Sequence, residues 1–279
     1  MVARGKYIMS RILLVDGCNQ FFLKYAKATS YQDLVNRCLQ MHWGFDQVYW
    51  VFDGFDSRRP RRELYPEYKN TASRAKNKLD TTKYDMLNEF KKIDLPTTGG
   101  IFICERPYTE ADDIIRKLAT AFADGVNYIE IASNDVDILN LSDLPNVKQP
   151  QAKMPSNVNS ADELNLYKTL VGDSSDNLKG LSGFGEKAWE RLSEQQRKMI
   201  HYQLQNDFPE FVPNNAFPLD EKYSVKLCEK ISEHWETLKM YWLVVNYMEI
   251  PDAELIKHTR FYPKQQLVQT HAPVMTMDF

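Results

Sequence analysis

Cysteine and histidine are both scarce: four cysteines (Cys18, Cys38, Cys104, Cys228) and five histidines in 279 residues. No CxxC and no Cys/His pair has zinc-ligand spacing, which argues against a zinc module. The reading is four reduced thiols in a cytoplasmic protein. Long apolar runs are missing too. Tyr49-Trp-Val-Phe52 is far too short to cross a bilayer, so no membrane association is expected. Arg4 and Lys6 have no apolar segment behind them, so Met1–Ser10 is no signal peptide, and Met1–Tyr7 reads as a dispensable extension. There is no internal repeat and no low-complexity tract. A positive charge balance is also lacking. The net charge is −3, which at first sight counts against a nucleic-acid binder.

What is present is a rhythm of short apolar runs and helical stretches. Arg11-Ile-Leu-Leu-Val15, Gln47-Val-Tyr-Trp-Val-Phe52, Ile101-Phe-Ile-Cys104 and Tyr128-Ile-Glu-Ile-Ala132 read as buried strands. A helical stretch runs from Phe21 to Trp43, and Thr109–Phe122 reads as an amphipathic helix with Ile114, Ile115, Leu118, Ala119 and Phe122 on one face. The alternation predicts an α/β fold, a mostly parallel central sheet flanked by helices. We place the α/β core at 1–160. A polar loop with Pro150 and Pro155 leads to a helical region at 161–279, of weak periodicity beyond Pro251.

Every strand is followed by acid. Asp16 follows the first and Asp53 the second. Glu110, Asp112 and Asp113 open the helix after the third, and Asp135 and Asp137 follow the fourth. In an open parallel sheet these positions share one edge, where ligands bind. Bare carboxylates gathered there take up protons or splay apart unless a counter-charge is supplied. With no Cys or His beside them, that counter-charge is a hard divalent cation, Mg²⁺ with Mn²⁺ as substitute. Each piece has a structural alternative. Val-Asp-Gly and Phe-Asp-Gly are ordinary strand-to-turn signals. Thr109-Glu-Ala-Asp112 fits a capping box in which Asp112 reaches back to the Thr109 backbone, and Asp135-Val-Asp137 fits a cap. The conjunction carries the metal reading.

A further acidic pair, Asp173 and Asp176, precedes a loop with Gly180, Gly183 and Gly185 and then Lys187. Such a loop opening a helix offers backbone N–H groups to phosphate, although a plain helix–turn–helix connection also fits. Between Arg58 and Lys92 the chain is polar, helical in propensity and rich in base, and we expect it to project from the sheet. Removing the nine carboxylates from a net charge of −3 leaves +6 for the rest of the chain. Acid gathered at a metal site and base gathered in an arm suits a nuclease.

Val51-Phe-Asp-Gly54 with Arg62-Glu-Leu-Tyr-Pro-Glu-Tyr-Lys69, Thr109-Glu-Ala-Asp-Asp113, Leu170-Val-Gly-Asp-Ser-Ser-Asp-Asn177 and Gly183-Phe-Gly-Glu-Lys187 together resemble the 5′-nuclease family. That family holds flap endonucleases, 5′→3′ exonucleases, phage ribonuclease H and the 5′-nuclease domain of bacterial DNA polymerase I. Matches run from about Arg11 to Ala188. Tyr241–Asp252 is more loosely similar to the end of single-domain phage enzymes. The expected setting is the cytoplasm, that of the host if the chain is phage-encoded.

The resemblance implies a structure-specific 5′-nuclease with two or more metals that leaves 5′-phosphate and 3′-hydroxyl. Asp16, Asp53, Glu110 and Asp112 would hold the tighter ion. Asp113, Asp135, Asp137, Asp173 and Asp176 would hold the second, in part through water. It implies a basic arch at about 55–95, whose Lys69 reaches the scissile phosphate, and a helix–three-turn–helix at about 165–195, often carrying K⁺ in this family. The implied DNA contacts are Arg62, Lys69, Lys76, Lys78, Lys179, Gly183, Gly185 and Lys187. The implied substrates are branched or 5′-ended DNA and RNA–DNA hybrid, cut by a monomer.

Two departures stand out. The family's Lys-x-x-Arg is here Lys69-Asn-Thr-Ala-Ser-Arg74, so the second catalytic cation falls to Arg74 or Lys76. Asn134-Asp-Val-Asp137 lacks a flanking lysine. Three other readings compete: a silent branched-DNA-binding protein, a PIN-type ribonuclease, which is shorter and lacks the glycine loop, and a haloacid-dehalogenase-type phosphotransferase, which needs Asp-x-Asp where this chain has Asp16-Gly-Cys18. The tail Thr270–Phe279 reads as a frayed end, with a docking peptide for a sliding clamp or single-strand binding protein as the alternative.

Overall fold

The computed structural model describes residues 9–71, 81–158, 160, 163–217 and 222–264. Met1–Tyr7, the arm residues Arg74, Lys76 and Lys78, and the tail Thr270–Phe279 lie outside them.

In the described residues the chain runs β1 (Arg11–Asp16), α1 (Gly17–Tyr25), α2 (Tyr31–Leu39), β2 (Gln47–Asp53), α3 (Arg59–Leu64), α4 (Thr82–Glu89), a π-helical turn (Phe90–Asp94), α5 (Leu95–Thr98), β3 (Ile101–Arg106), α6 (Ala111–Phe122) and β4 (Tyr128–Ala132). There follow a 3₁₀ segment (Val136–Asp143), β5 (Val147–Lys148), α7 (Leu164–Val171), α8 (Glu186–Arg191), α9 (Glu194–Gln205), α10 (Lys222–Glu233), α11 (Trp235–Val245), α12 (Asp252–Lys257) and β6 (Thr259–Tyr262). The expected single helix from Phe21 to Trp43 is two helices, the second capped by the Ser30 hydroxyl.

The sheet order is β5-β4-β1-β2-β3-β6, parallel except for β6, which pairs antiparallel with β3. β1 and β2 are almost wholly buried, as parallel strands covered on both faces must be. One layer beside the sheet is built on Ile114, Ile115 and Leu118 of α6; the other on Phe21, Leu34 and Phe90. A separate core, around Trp189, Ile200, Phe217 and Trp235, holds α7–α11 together.

Two expectations are corrected here. The basic segment does not project along its whole length: Leu87, Phe90 and Leu95 are buried against the sheet layer of α1 and α2. These apolar residues at positions 87, 90 and 95 are spaced for one helical face, and they dock the arm's return limb. The helical region also does not run to the end of the chain. Residues 252–262 return to the sheet as α12 and β6, next to β3.

Candidate active site

The parallel register sets the strand ends side by side. Val15 pairs with Ala132 of β4, Asp16 with Val51 of β2, and Asp53 with Arg106 of β3. Gly54 follows Asp53 because the chain passes hard against the β3 end: its N–H donates to the Thr109 carbonyl at 3.0 Å, and a Cβ there would overlap the Arg106 carbonyl.

Asp16 caps α1 by accepting from the Asn19 N–H at 3.1 Å, and its other oxygen accepts from the Ser133 hydroxyl at 3.0 Å. Asp53 accepts from the Ala111 N–H at 2.9 Å and so caps α6. The expected capping box is therefore absent. Thr109 Oγ1 instead accepts from Arg106 and donates to the Pro107 carbonyl. With the helix end served by Asp53, Asp112 lines a small cavity together with Glu110, Asp137, Lys168 and Asp176. Asp135 does cap the 3₁₀ segment, accepting from the Asp137 N–H at 3.0 Å.

These strand-end carboxylates are electrostatically unsatisfied. Asp16 is pushed up to about 7, first by burial and then by the charges of Asp53 and Asp135, against the pull of its two donors. Burial, then the charges of Asp16 and Asp135, holds Asp112 well above the usual carboxylate range. Burial also raises Asp53, with Glu110 adding, and Asp135, with Asp137 adding.

The helical side contributes Asp173 and Asp176 from the loop after α7. The loop is closed by reciprocal backbone bonds between Asp173 and Leu178, at 2.9 and 2.8 Å. Gly180 makes it possible: its φ is +64°, and a Cβ would meet the Val171 and Gly172 backbone at 2.5 Å. One carboxylate oxygen each of Asp137, Asp173 and Asp176 lies within 4.8 Å of the others. Asp176 is 4% exposed, and its Oδ1 has no hydrogen-bond donor. Burial pushes it up to about 6. Asp173 goes the other way, to about 2: burial opposes ionisation, but Lys168 and the Ser175 donors outweigh it.

Glu110 and Asp113 depart from the expected ligand set. Both Asp113 oxygens accept from the Arg61 guanidinium at 2.8 Å, and Oδ1 also accepts from the Met248 N–H. That carboxylate, expected at the second metal, is here engaged in a buried ion pair. Glu110 accepts from Arg61 and Tyr68 on one oxygen and from Lys69 on the other, at 2.8–2.9 Å. Burial disfavours its charge, but Lys69 and Arg61 bring it below its ordinary value. Arg61 also donates to the Val244 and Asn246 carbonyls, so the arm's first helix is pinned to the end of α11.

Lys69 stands at the site, as the sequence suggested. Its φ is +52° and its N–H donates to the Asp176 carbonyl at 3.0 Å, while Nζ sits 2.8 Å from Glu110 and 3.8 Å from Asp176. Arg62 Nε donates to the Tyr68 carbonyl, bracing this turn. Lys179, Gly183, Gly185 and Lys187 are exposed on the glycine loop and the start of α8. Lys230 of α10 pins the loop through the Ser182 carbonyl.

Two buried bases at the site, Arg61 of the basic segment and Lys168 of α7, are not singled out by the sequence. Lys168 is 6% exposed and paired with Asp137 and Asp173. Sequence carried little signal for either, since a base on a helix is ordinarily solvated.

The donor set fits hard cations. It offers carboxylate oxygens only, with five of the carboxylates raised by burial and neighbouring charge, and one buried oxygen without a donor.

Residues 11–167 match the family described as 5′-3′ exonuclease, N-terminal resolvase-like domain. The chain is similar to a 5′-3′ exonuclease of Mycoplasma pneumoniae, 27% identical over 210 residues, covering 64% of this chain and 70% of that protein. Its fold is similar to that of the bacteriophage T5 5′-exonuclease with bound divalent metal ions (zinc), with a TM-score of 0.63 and 19% identity over 84% of this chain and 89% of that one. The T5 flap endonuclease in complex with DNA and metal ions superimposes with a TM-score of 0.62, at 19% identity, over 84% and 88%.

Proposed function

We infer that this chain, which belongs to the 5′-3′ exonuclease family, is a structure-specific 5′-nuclease that hydrolyses phosphodiester bonds in 5′-ended or branched DNA. The observation that carries the reading is the row of unsatisfied carboxylates at the strand ends, next to a group in which Asp137 meets Asp173 and Asp176 of the helical side.

Asp16, Asp53, Asp112 and Asp135 are the residues that would hold one Mg²⁺, and Asp137, Asp173 and Asp176 a second. Bound there, such ions activate water and offset charge on the scissile phosphate and the leaving 3′-oxygen. Lys69 is held at the rim by Glu110 and the Asp176 carbonyl, and its ammonium stabilises charge developing on the phosphate. Arg61 and Tyr68 hold Glu110 so that it can orient Lys69. The exposed backbone at Gly183 and Gly185, with Lys179 and Lys187, grips the duplex phosphates behind the site.

The test is product analysis on flap, nicked and RNA-primed duplexes with Mg²⁺ and with EDTA. Metal-dependent release of 5′-phosphorylated products from the flap or the nick is expected. Absence of any cleavage in both Mg²⁺ and Mn²⁺ overturns the reading.

A further inference from the structure

The strongest unexplained feature is a buried ammonium. Lys168 projects from α7 into the group formed by Asp137, Asp173 and Asp176, with Nζ 2.7 Å from Asp173 Oδ2 and in contact with Asp137 Oδ1. Burying a lysine costs several kcal/mol unless acids pair with it. Here it faces the same small cavity as Asp112, Asp137 and Asp176. Among the described residues, no lysine or arginine is ion-paired or hydrogen-bonded to Asp16, Asp53 or Asp135, and Lys69 and Lys168 act on Asp53 and Asp135 only from a distance. The group Lys168 enters still has an unfilled position, the buried Asp176 Oδ1, with Lys69 Nζ beyond hydrogen-bond reach at 3.8 Å.

We propose that Lys168 is a tethered cation in the Asp137–Asp173–Asp176 group, competing with divalent metal there and so fixing the order of loading. The inference rests on the metal-site reading above. A divalent ion enters first at Asp16, Asp53 and Asp112, which are ion-paired with no ammonium among the described residues. At the Asp173 side it must displace or share oxygens with Lys168, and charges of like sign a few ångströms apart repel strongly in a partly buried site. The two cation positions are therefore unequal before any nucleic acid arrives.

The experiment is Mn²⁺ titration of the DNA-free protein, read by electron paramagnetic resonance. The wild type, Lys168→Met and Lys168→Arg are compared, with thermal melts in EDTA and in Mn²⁺. The wild type is expected to show one tighter and one weaker site. Lys168→Met is expected to tighten the weaker site at least tenfold, on the order expected for removing one close like charge. Lys168→Arg keeps the charge and is expected to titrate like the wild type.

A Lys168→Met protein that melts lower in EDTA but binds Mn²⁺ with wild-type stoichiometry and affinity makes Lys168 a structural tie and overturns the proposal. If Lys168→Met does not fold, Lys168→Gln takes its place with the same two outcomes. Because no substrate is present, the result is separate from cleavage. A chain that shows this Mn²⁺ pattern yet cuts nothing refutes the nuclease reading and leaves the cation competition standing.

Discussion

The strand-end half of the site and the helical half solve the same electrostatic problem in opposite ways. At the strand ends, Asp16 is buried, Asp53, Asp112 and Asp135 are half-buried, and all four are raised. On the helical side the chain brings its own cations: Lys168 to Asp137 and Asp173, Arg61 to Asp113 and Glu110, Lys69 to Glu110. The difference lies in where side chains can come from. Strand ends on one sheet edge emerge next to each other, and among the described residues no basic side chain is ion-paired with Asp16, Asp53, Asp112 or Asp135. Helices crossing that edge present lysine and arginine across a gap. One half therefore keeps its mutual repulsion, while the other is partly neutralised by the chain's own cations.

The neighbours Asp112 and Asp113 carry this contrast within one turn of α6. About 100° apart around the helix, one faces the cavity and the other faces Arg61. Asp112→Asn is expected to lower the single-turnover cleavage rate at least about 10³-fold, the upper end for loss of one electrostatic partner of the transition state. Its metal-free stability is expected to be unchanged or higher, since a repulsive charge is gone. Wild-type cleavage by this variant would erase the distinction between the halves.

Asp113→Ala is expected to do the reverse. It strips Arg61 of two of its bonds in a buried site and should cost roughly 3–5 kcal/mol in urea unfolding. Cleavage by the surviving folded fraction should fall far less than in Asp112→Asn. A variant as stable as the wild type but without activity would return Asp113 to the metal ligands, where the sequence had put it.

The sequence made one half of the site far more legible than the other. Asp16, Asp53, Asp112 and Asp135 could be placed because a strand's carboxyl end is a topological address: once the parallel sheet is inferred, their proximity follows. Asp173 and Asp176 were legible through the glycine loop that must follow them. Partners were not legible. Nothing local distinguishes Lys168 from a solvated lysine, or Arg61 from its neighbours Arg58, Arg59 and Arg62, because burial is decided by how α7 and α3 dock. The same holds for β6, whose four residues are only half-buried or exposed and carry no strong alternation. The capping box that the spacing also allowed does not form, for a related reason. Thr109 and Asp112 have the spacing, but a distant residue, Asp53, reached the helix end.

The smallest expected effect separates the halves by the sign of their pH dependence. Asp16 is raised from its ordinary 3.8 to about 7, so the metal-free folded state binds its proton more tightly than the unfolded state does. Stability linked to Asp16 therefore falls as pH rises from about 4 through 7. Asp173 is lowered to about 2, so its contribution is present above its ordinary value and is lost as pH falls towards 2. His42 adds a confounding slope. Burial pushes it down to about 4, so its contribution is present above its ordinary 6.5 and is lost as pH falls towards 4. The informative quantity is thus the difference between wild type and Asp16→Asn, in which His42 cancels. In EDTA, the melting temperature of Asp16→Asn is expected to gain on the wild type between pH 4.5 and 7.5, by on the order of 5 °C. Asp173→Asn is expected to melt below the wild type by a constant margin over that range, because Asp173 is ionised throughout it in both states. Saturating Mg²⁺ should shrink the Asp16→Asn gain by stabilising the wild type where its carboxylates repel. An Asp16→Asn difference independent of pH would mean that the strand-end acids are already neutralised within the protein, and the two halves would then be alike.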